Sequence, residues 1–215
     1  MTIAFFDMDK TLLSRSSTTE YIKYLWRHQM LSVRELIAAV SVSIGYALKL
    51  LDFPRVVALL SRDFRDGDVN ETRALAERWV REELLRYIAP RAVARVRAHQ
   101  EAGDEVWLLS AATQFVVMPI ARHLGIQCRF TELEISGNRI TGNIVDAACY
   151  GAGKVVWAER IARERGVALS DCVFYTDSIS DQPLLDCVGH PVAVNPDKRL
   201  ERYARSRGWV VEKFY

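Results

Sequence analysis

The chain has 215 residues, 29 Lys and Arg against 27 Asp and Glu, a formal net charge of +2, and 50% hydrophobic residues. That is globular composition, with length for a substantial core and one domain carrying a smaller subdomain. Its cations are scattered, which excludes the basic block of a nucleic-acid-binding protein.

The first element is the apolar run Ile3-Ala4-Phe5-Phe6, which reads as a buried strand. It runs straight into Asp7-Met8-Asp9-Lys10-Thr11. Acids at the C-terminal end of a strand lie where open α/β sheets bind ligands. Two carboxylates this close repel unless a cation or a shared proton compensates, and oxygen-only ligands suit Mg2+. No basic segment precedes the run, so it does not read as a secretory signal.

From about Thr18 to Ile88 the pattern is helical. Helices are predicted over Thr19–Leu31, Arg34–Leu51 and Pro54–Phe64, with a fourth starting near Val69 behind Asp68 and Glu71 as N-cap and N3. The fourth carries Leu75, Trp79 and Leu84 among many charges, an amphipathic pattern. Leu36 to Leu51 is strongly apolar but shorter than the ~20 residues of a membrane span, so no span is expected. It is expected to be buried in a small bundle, or to line a substrate cleft or a homodimer contact.

From Ala89 strands and helices alternate. Helices are predicted over Pro90–Ala102, Gln114–Leu124, Gly153–Arg165, Asp181–Val188 and Lys198–Arg207. Strands are predicted over Glu105–Ser110, Cys128–Leu133, Cys172–Asp177, Pro191–Val194 and Trp209–Phe214. Ser136-Gly137-Asn138 marks a hairpin turn. The alternation implies βαβ units, a parallel sheet and a site built from loops at the strand C-termini. The expected organisation is an α/β core over 1–14 and 88–215 with a helical lid over 15–87. Cys128, Cys149, Cys172 and Cys187 show no C-x-x-C spacing and read as reduced thiols of a cytosolic protein, not a zinc site.

Three more polar features fall at strand ends or helix starts: Ser110, Lys154, and Asp177 with Asp181 four residues later. Gly151-Ala152-Gly153-Lys154 is not a P-loop, because Ala148 stands at the earlier glycine and Val155 at the Ser/Thr. Together the pieces suit phosphoryl transfer. A strand-end Asp can attack phosphorus, and a second acid can serve the leaving oxygen and then water. A cation, a lysine and a hydroxyl can balance the remaining oxygens.

Asp7-Met8-Asp9-Lys10-Thr11, Ser110, Lys154 and Asp177-Ser178-Ile179-Ser180-Asp181 resemble the four motifs of the haloacid dehalogenase superfamily of phosphatases. The helical insertion after the first motif resembles the C1 cap of its phosphoserine-phosphatase-like subfamily IB. The resemblance implies a doubly wound core with Asp7 as nucleophile and Mg2+ ligand. It implies Asp9 as general acid/base, lending its carbonyl to the metal, and Thr11 positioning Asp9. It further implies Ser110, the Ala111 N–H and Lys154 on the phosphoryl group, Asp177 on the metal, and Asp181 supporting the metal shell and Lys154.

The sequence departs from phosphoserine phosphatases at three places. Ser16 stands where they carry a Glu nine residues after the nucleophile, Ala111-Ala112 replaces a Gly pair, and Ser180 stands for Asn. Glu20 serves for that Glu only if the loop geometry shifts. Arg15, Arg62 and Arg65 are candidate lid residues for a substrate anion, whereas the apolar lid helix suits a lipid-like or aromatic phosphate. The expectation is a cytosolic Mg2+-dependent phosphomonoesterase on a small organic phosphate ester such as phosphoserine or histidinol phosphate. Two other readings share its chemistry: a phosphotransferase or mutase, and a phospho-acceptor domain without turnover. The ~70-residue insertion argues against the latter.

Overall fold

The computed structural model describes residues 2–38, 41 and 66–215. Strand β1 (Ile3–Phe6) sits inside a six-stranded parallel sheet, paired on one side with β2 (Glu105–Thr113) and on the other with β6 (Val173–Thr176). The order is β3-β2-β1-β6-β7-β8, where β3 is Gln127–Thr131, β7 His190–Val194 and β8 Val210–Glu212. A separate antiparallel hairpin joins β4 (Leu133–Ser136) to β5 (Arg139–Ile144).

β1 is apolar at every position because both of its faces are covered. Ala4 and Phe6 enter one core with Ala92 and Val96 of helix α3 (Pro90–Glu101) and Val117 and Ile120 of α4 (Gln114–Leu124). Ile3 and Phe5 enter a second core with Ala158 and Ile161 of α5 (Ala152–Glu164) and Leu200 of α7 (Lys198–Ser206). The short α6 (Gln182–Leu185) adds Leu184 and Leu185 to that second core. Each fully buried Phe contributes about 1.5–3 kcal/mol of transfer free energy. This is the doubly wound layer arrangement that the alternating pattern implied.

Two elements differ from expectation. The run 128–133 is not one strand, because the chain leaves the sheet after Thr131 and Leu133 pairs with Ile144 of the hairpin instead. Gly137, at φ +59, makes the hairpin turn. β2 runs past Ser110 to Thr113, but Leu109 pairs with Arg129 and Thr113 with Thr131. Residues 110–112 on β2 therefore face only residue 130 on β3, so the strand bulges outward at Ser110.

Between β1 and α3 the chain forms α1 (Ser17–Arg27), a helical stretch at 33–38, and α2 (Val69–Trp79). The helix expected over 34–51 is seen only in that stretch. Its remainder, apart from residue 41, and the helix expected over 54–64 lie outside the described residues, as do Arg62 and Arg65. The Asp68 carboxylate caps α2, accepting from the Asn70 and Glu71 N–H groups at 2.8 and 3.0 Å. Trp79 and Leu84 are fully buried in the first core. The two legs of the insertion meet at Leu13 and Ile88: Ser14 N donates to Tyr87 O at 2.8 Å and Ala89 N to Leu12 O at 2.9 Å. Among the described residues no helix is long and apolar enough to cross a membrane.

Gly153, at the start of α5, lies so close to residue 148 that a Cβ there would stand 1.9 Å from the Ala148 carbonyl oxygen. Gly153→Ala should therefore destabilise the chain by about 1–3 kcal/mol, the usual cost of overpacking. Chemical denaturation checks this; an unchanged midpoint would show that the turn yields freely.

Candidate active site

The site is assembled where β1, β2 and β6 end. Asp7 N donates to Tyr175 O at 2.9 Å, which keeps the end of β1 hooked to β6. The chain then turns sharply. Asp9 is extended, Lys10 takes the left-handed conformation at φ 56, and Leu13 N closes the turn on Met8 O at 2.8 Å. A left-handed non-glycine residue costs of order 1–3 kcal/mol and persists only where its surroundings enforce it. Two of those surroundings are on the Lys10 carbonyl, which accepts from Tyr215 Oη at 3.1 Å and Asn195 Nδ2 at 3.4 Å.

Lys154 is the buried cation of the site, at 2% exposure. Its Nζ donates to Asp7 Oδ1 at 2.6 Å and to Asp181 Oδ2 at 2.7 Å. Thr176 Oγ1 also donates to Asp181 Oδ2, at 2.7 Å. Asp181 begins a helix, where an N-cap role would be ordinary, but its side chain makes no such bond and turns to Lys154 instead. Ser110 Oγ accepts from Ala112 N at 3.2 Å inside the β2 bulge, and Ala111 lies between them.

Asp9 is held by the first turn of α1: Ser17 N and Ser17 Oγ donate to its two oxygens at 2.9 and 3.0 Å. Sequence reasoning gave that positioning task to Thr11 and started the helix at Thr19. Thr11 is buried, and its Oγ1 has no hydrogen-bond partner among the described residues. The signal for Ser17 was a serine at a helix start, a site that readily offers an N–H and a hydroxyl together. Arg15 is exposed, its carbonyl accepting from Lys10 N at 3.4 Å. Glu20, weighed in the sequence only as a stand-in for the Glu that Ser16 replaces, is buried in the first turn of α1 and paired with Lys23 at 2.8 Å.

The electrostatics are unbalanced. Burial raises Asp7 to about 7, with Lys154 opposing and Asp181 adding to the rise. Asp177 is raised to about 8, first by burial and then by Asp7. Burial raises Asp9 as well, against the two bonds from Ser17. Burial alone would lower Lys154, but Asp181 and Asp7 outweigh it and hold the pKa above the usual lysine value. Lys154 bonds two of these four acids, and Lys10 acts on Asp9 and Asp177 through space without bonding either.

These residues fit a hard divalent cation. Among the described residues no side chain donates to the Asp177 carboxylate, and Asp181 Oδ1 is buried without a partner. No group of three or more ligand side chains is gathered among the described residues. A cation here would therefore take two carboxylates and a backbone carbonyl, with the balance from water and substrate, the habit of Mg2+.

Residues 4–186 match the haloacid dehalogenase-like hydrolase family. The chain belongs to that family. It is 31% identical over 218 residues to a histidinol-phosphatase of Neisseria meningitidis, covering 99% of this chain and 98% of that one. It is 32% identical over 216 residues to the phosphoserine phosphatase SerB1 of Mycobacterium tuberculosis, covering 98% of this chain and 70% of that one. A crystal structure of a protein of unknown function from Bordetella pertussis Tohama I superposes with a TM-score of 0.92 at 30% identity, over the whole of both chains.

A carboxyl whose folded pKa exceeds its unfolded value of 3.8 favours folding below that value and loses the advantage as pH rises through the folded pKa. For Asp7 and Asp177 the loss extends to about 7 and about 8. In chelator, Asp177→Asn should therefore melt above wild type at about pH 8.5, by a smaller margin at about pH 5.5 and by none near about pH 4. Each kcal/mol relieved corresponds to ~2–4 °C. A margin that is absent at the higher pH, or larger at the lower, contradicts the repulsion.

Proposed function

We propose that this haloacid dehalogenase-like phosphatase hydrolyses a small organic phosphomonoester through an aspartyl phosphate on Asp7, with Mg2+ held by Asp7, Asp177 and the Asp9 carbonyl. The observation that carries this is the buried Lys154 bonded to both Asp7 and Asp181, beside the Asp177 carboxylate, to which no side chain among the described residues donates. When bound, Mg2+ would offset the phosphoryl charge so that an anionic nucleophile can approach an anionic group.

In this reading Lys154 takes up one oxygen of Asp7, which leaves the other for in-line attack on phosphorus. The P–O bond to the leaving group breaks as the Asp7 oxygen–phosphorus bond forms. Asp9 then gives its proton to the leaving oxygen. Burial favours the protonated state it needs, and Ser17 fixes its two oxygens in place. The same carboxylate, now ionised, takes a proton from the water that attacks the aspartyl phosphate, and inorganic phosphate leaves. Ser110 and the Ala111 N–H face the phosphoryl oxygens from the β2 bulge, an arrangement that stabilises charge developing there. Asp181 keeps Lys154 charged and aimed at Asp7.

Residues 15–87 form the lid of this reading and residues 1–14 with 88–215 the core, supported by the paired legs at Leu13 and Ile88. The neutral Ser16 weighs against strict phosphoserine recognition. The Neisseria histidinol-phosphatase, matched over nearly its full length, supports an amino-alcohol phosphate as substrate class. The thiols of Cys128, Cys149, Cys172 and Cys187 are all free, which supports a reducing compartment.

Asp7→Asn should abolish phosphate release while the protein stays folded; turnover within about tenfold of wild type contradicts the nucleophile. Asp9→Asn should slow substrates with poor leaving groups by about 10²–10⁴. An unchanged rate removes Asp9 from acid/base duty. A phosphate-release screen over amino-alcohol, sugar and lipid-like phosphates, with Mg2+ and again with chelator, tests substrate and metal together. Full activity in chelator contradicts the cation, and phosphoryl transfer to a second substrate without phosphate release favours the transferase.

A further inference from the structure

The β2 bulge that carries Ser110 and the turn that carries Lys154 come from different parts of the chain, yet both end on the same short stretch, residues 131–133. Thr113 closes the bulge by pairing with Thr131. Gln114, the next residue, forms two bonds with the Leu133 backbone: Nε2 donates to Leu133 O and Oε1 accepts from Leu133 N, both at 2.9 Å. On the other side, Thr131 Oγ1 accepts from Cys149 N at 3.1 Å. Cys149 opens the turn to α5, in which Tyr150 N bonds Ala148 O, Gly153 N bonds Tyr150 O, and Lys154 follows. Gln114, Thr131 and Cys149 are all buried, at 8, 1 and 0% exposure.

Buried polar side chains are costly unless satisfied, and a well-packed apolar residue would serve stability as well or better. Here each polar atom is spent on the backbone of a distant segment. The junction 131–133 thus ties one end of the phosphate-facing bulge to the start of the lysine turn.

Resting on the proposed phosphatase reading, we infer that Thr131 and Gln114 are positioning residues that fix the separation between the Ser110 bulge and Lys154, and thereby the affinity of the site for a phosphoryl group. Neither touches the phosphoryl group itself. A change at either should loosen phosphate binding without removing any group that contacts it.

The test is calorimetric binding of inorganic phosphate, in the presence of Mg2+, to wild type, Thr131→Val and Thr131→Ser, with a thermal melt of each. Valine keeps the shape and removes the acceptor for Cys149 N; serine restores the hydroxyl. Thr131→Val should raise the dissociation constant about tenfold, because the unpaired Cys149 N–H shifts the lysine turn toward another partner and phosphate binding must restore it at about that cost. Thr131→Ser should return it to within about twofold of wild type. A dissociation constant unchanged in Thr131→Val, whatever the melting temperature does, overturns the inference. Should Thr131→Val not fold, Gln114→Glu is judged on the same constant; it keeps the acceptor for Leu133 N and loses the donor to Leu133 O. Phosphate binding needs no turnover. A wild-type chain that binds phosphate but hydrolyses nothing therefore counts against the proposed function alone.

Discussion

A single buried ammonium, shared between two carboxylates and close to two more, is the constraint around which this molecule is built. Asp7 and Asp181 receive bonds from Lys154, while Asp177 and Asp9 do not, and burial raises Asp7, Asp9 and Asp177 in spite of the charges of Lys154 and Lys10. Such a cluster is expensive to bury: repulsion between carboxylates and loss of solvent both push protons back onto them. It persists because two central strands of a fully covered sheet, β1 and β6, place the acids there whatever their charge, and because the hydrophobic burial of Phe5, Phe6 and Phe174 outweighs the local cost.

Most strands and the five charged positions that the structure brings together, Asp7, Asp9, Lys154, Asp177 and Asp181, were legible because their signals are local. An apolar run that breaks into acids is visible within ten residues, and its meaning follows from where sheets bind ligands. The parallel sheet and the hairpin turn at Gly137 follow from the same local signals, although the run 128–133 splits between sheet and hairpin and the helix expected over Asp181–Val188 shortens to Gln182–Leu185. What escaped was side chain to backbone bonding across the chain. Ser17 to Asp9, Thr131 to Cys149 and Gln114 to Leu133 leave no periodicity, because each joins a polar side chain to segments chosen by tertiary packing. The bulge at Ser110 escaped as well. The pattern marked the strand as ending at Ser110, when in fact the ladder swells there and resumes at Thr113. A polar residue in a half-buried strand can mean either, and only the partner strand decides.

The insertion is joined to the site more closely than a lid on two flexible legs. Its returning leg is sewn to the β4–β5 hairpin: Asp66 N bonds Ile140 O at 2.9 Å, Ile140 N bonds Gly67 O at 3.1 Å and Val69 N bonds Asn138 O at 3.1 Å. Val69, Ala76, Phe115, Leu133 and Ile140 form a small apolar cluster of their own between the insertion, the hairpin and the start of α4. Phe115 and Leu133 adjoin the Gln114–Leu133 bonds, so one continuous set of contacts runs from the base of the insertion to the Ser110 bulge. On the other leg, Ser17 belongs to the insertion and holds Asp9 of the core. The base of the insertion, Asp9 and the Ser110 bulge therefore share one scaffold.

The most direct measurement of the central claim is a chemical trap for the covalent intermediate. The protein is mixed with a hydrolysable phosphate ester and Mg2+, quenched in acid, and treated with borohydride, which reduces an acyl phosphate to an alcohol. Peptide mass spectrometry then locates the reduced residue. The account predicts homoserine at position 7, substrate-dependent and absent from Asp7→Asn. A trapped residue elsewhere, or phosphate release with no reduction at Asp7 under single-turnover conditions, would contradict it.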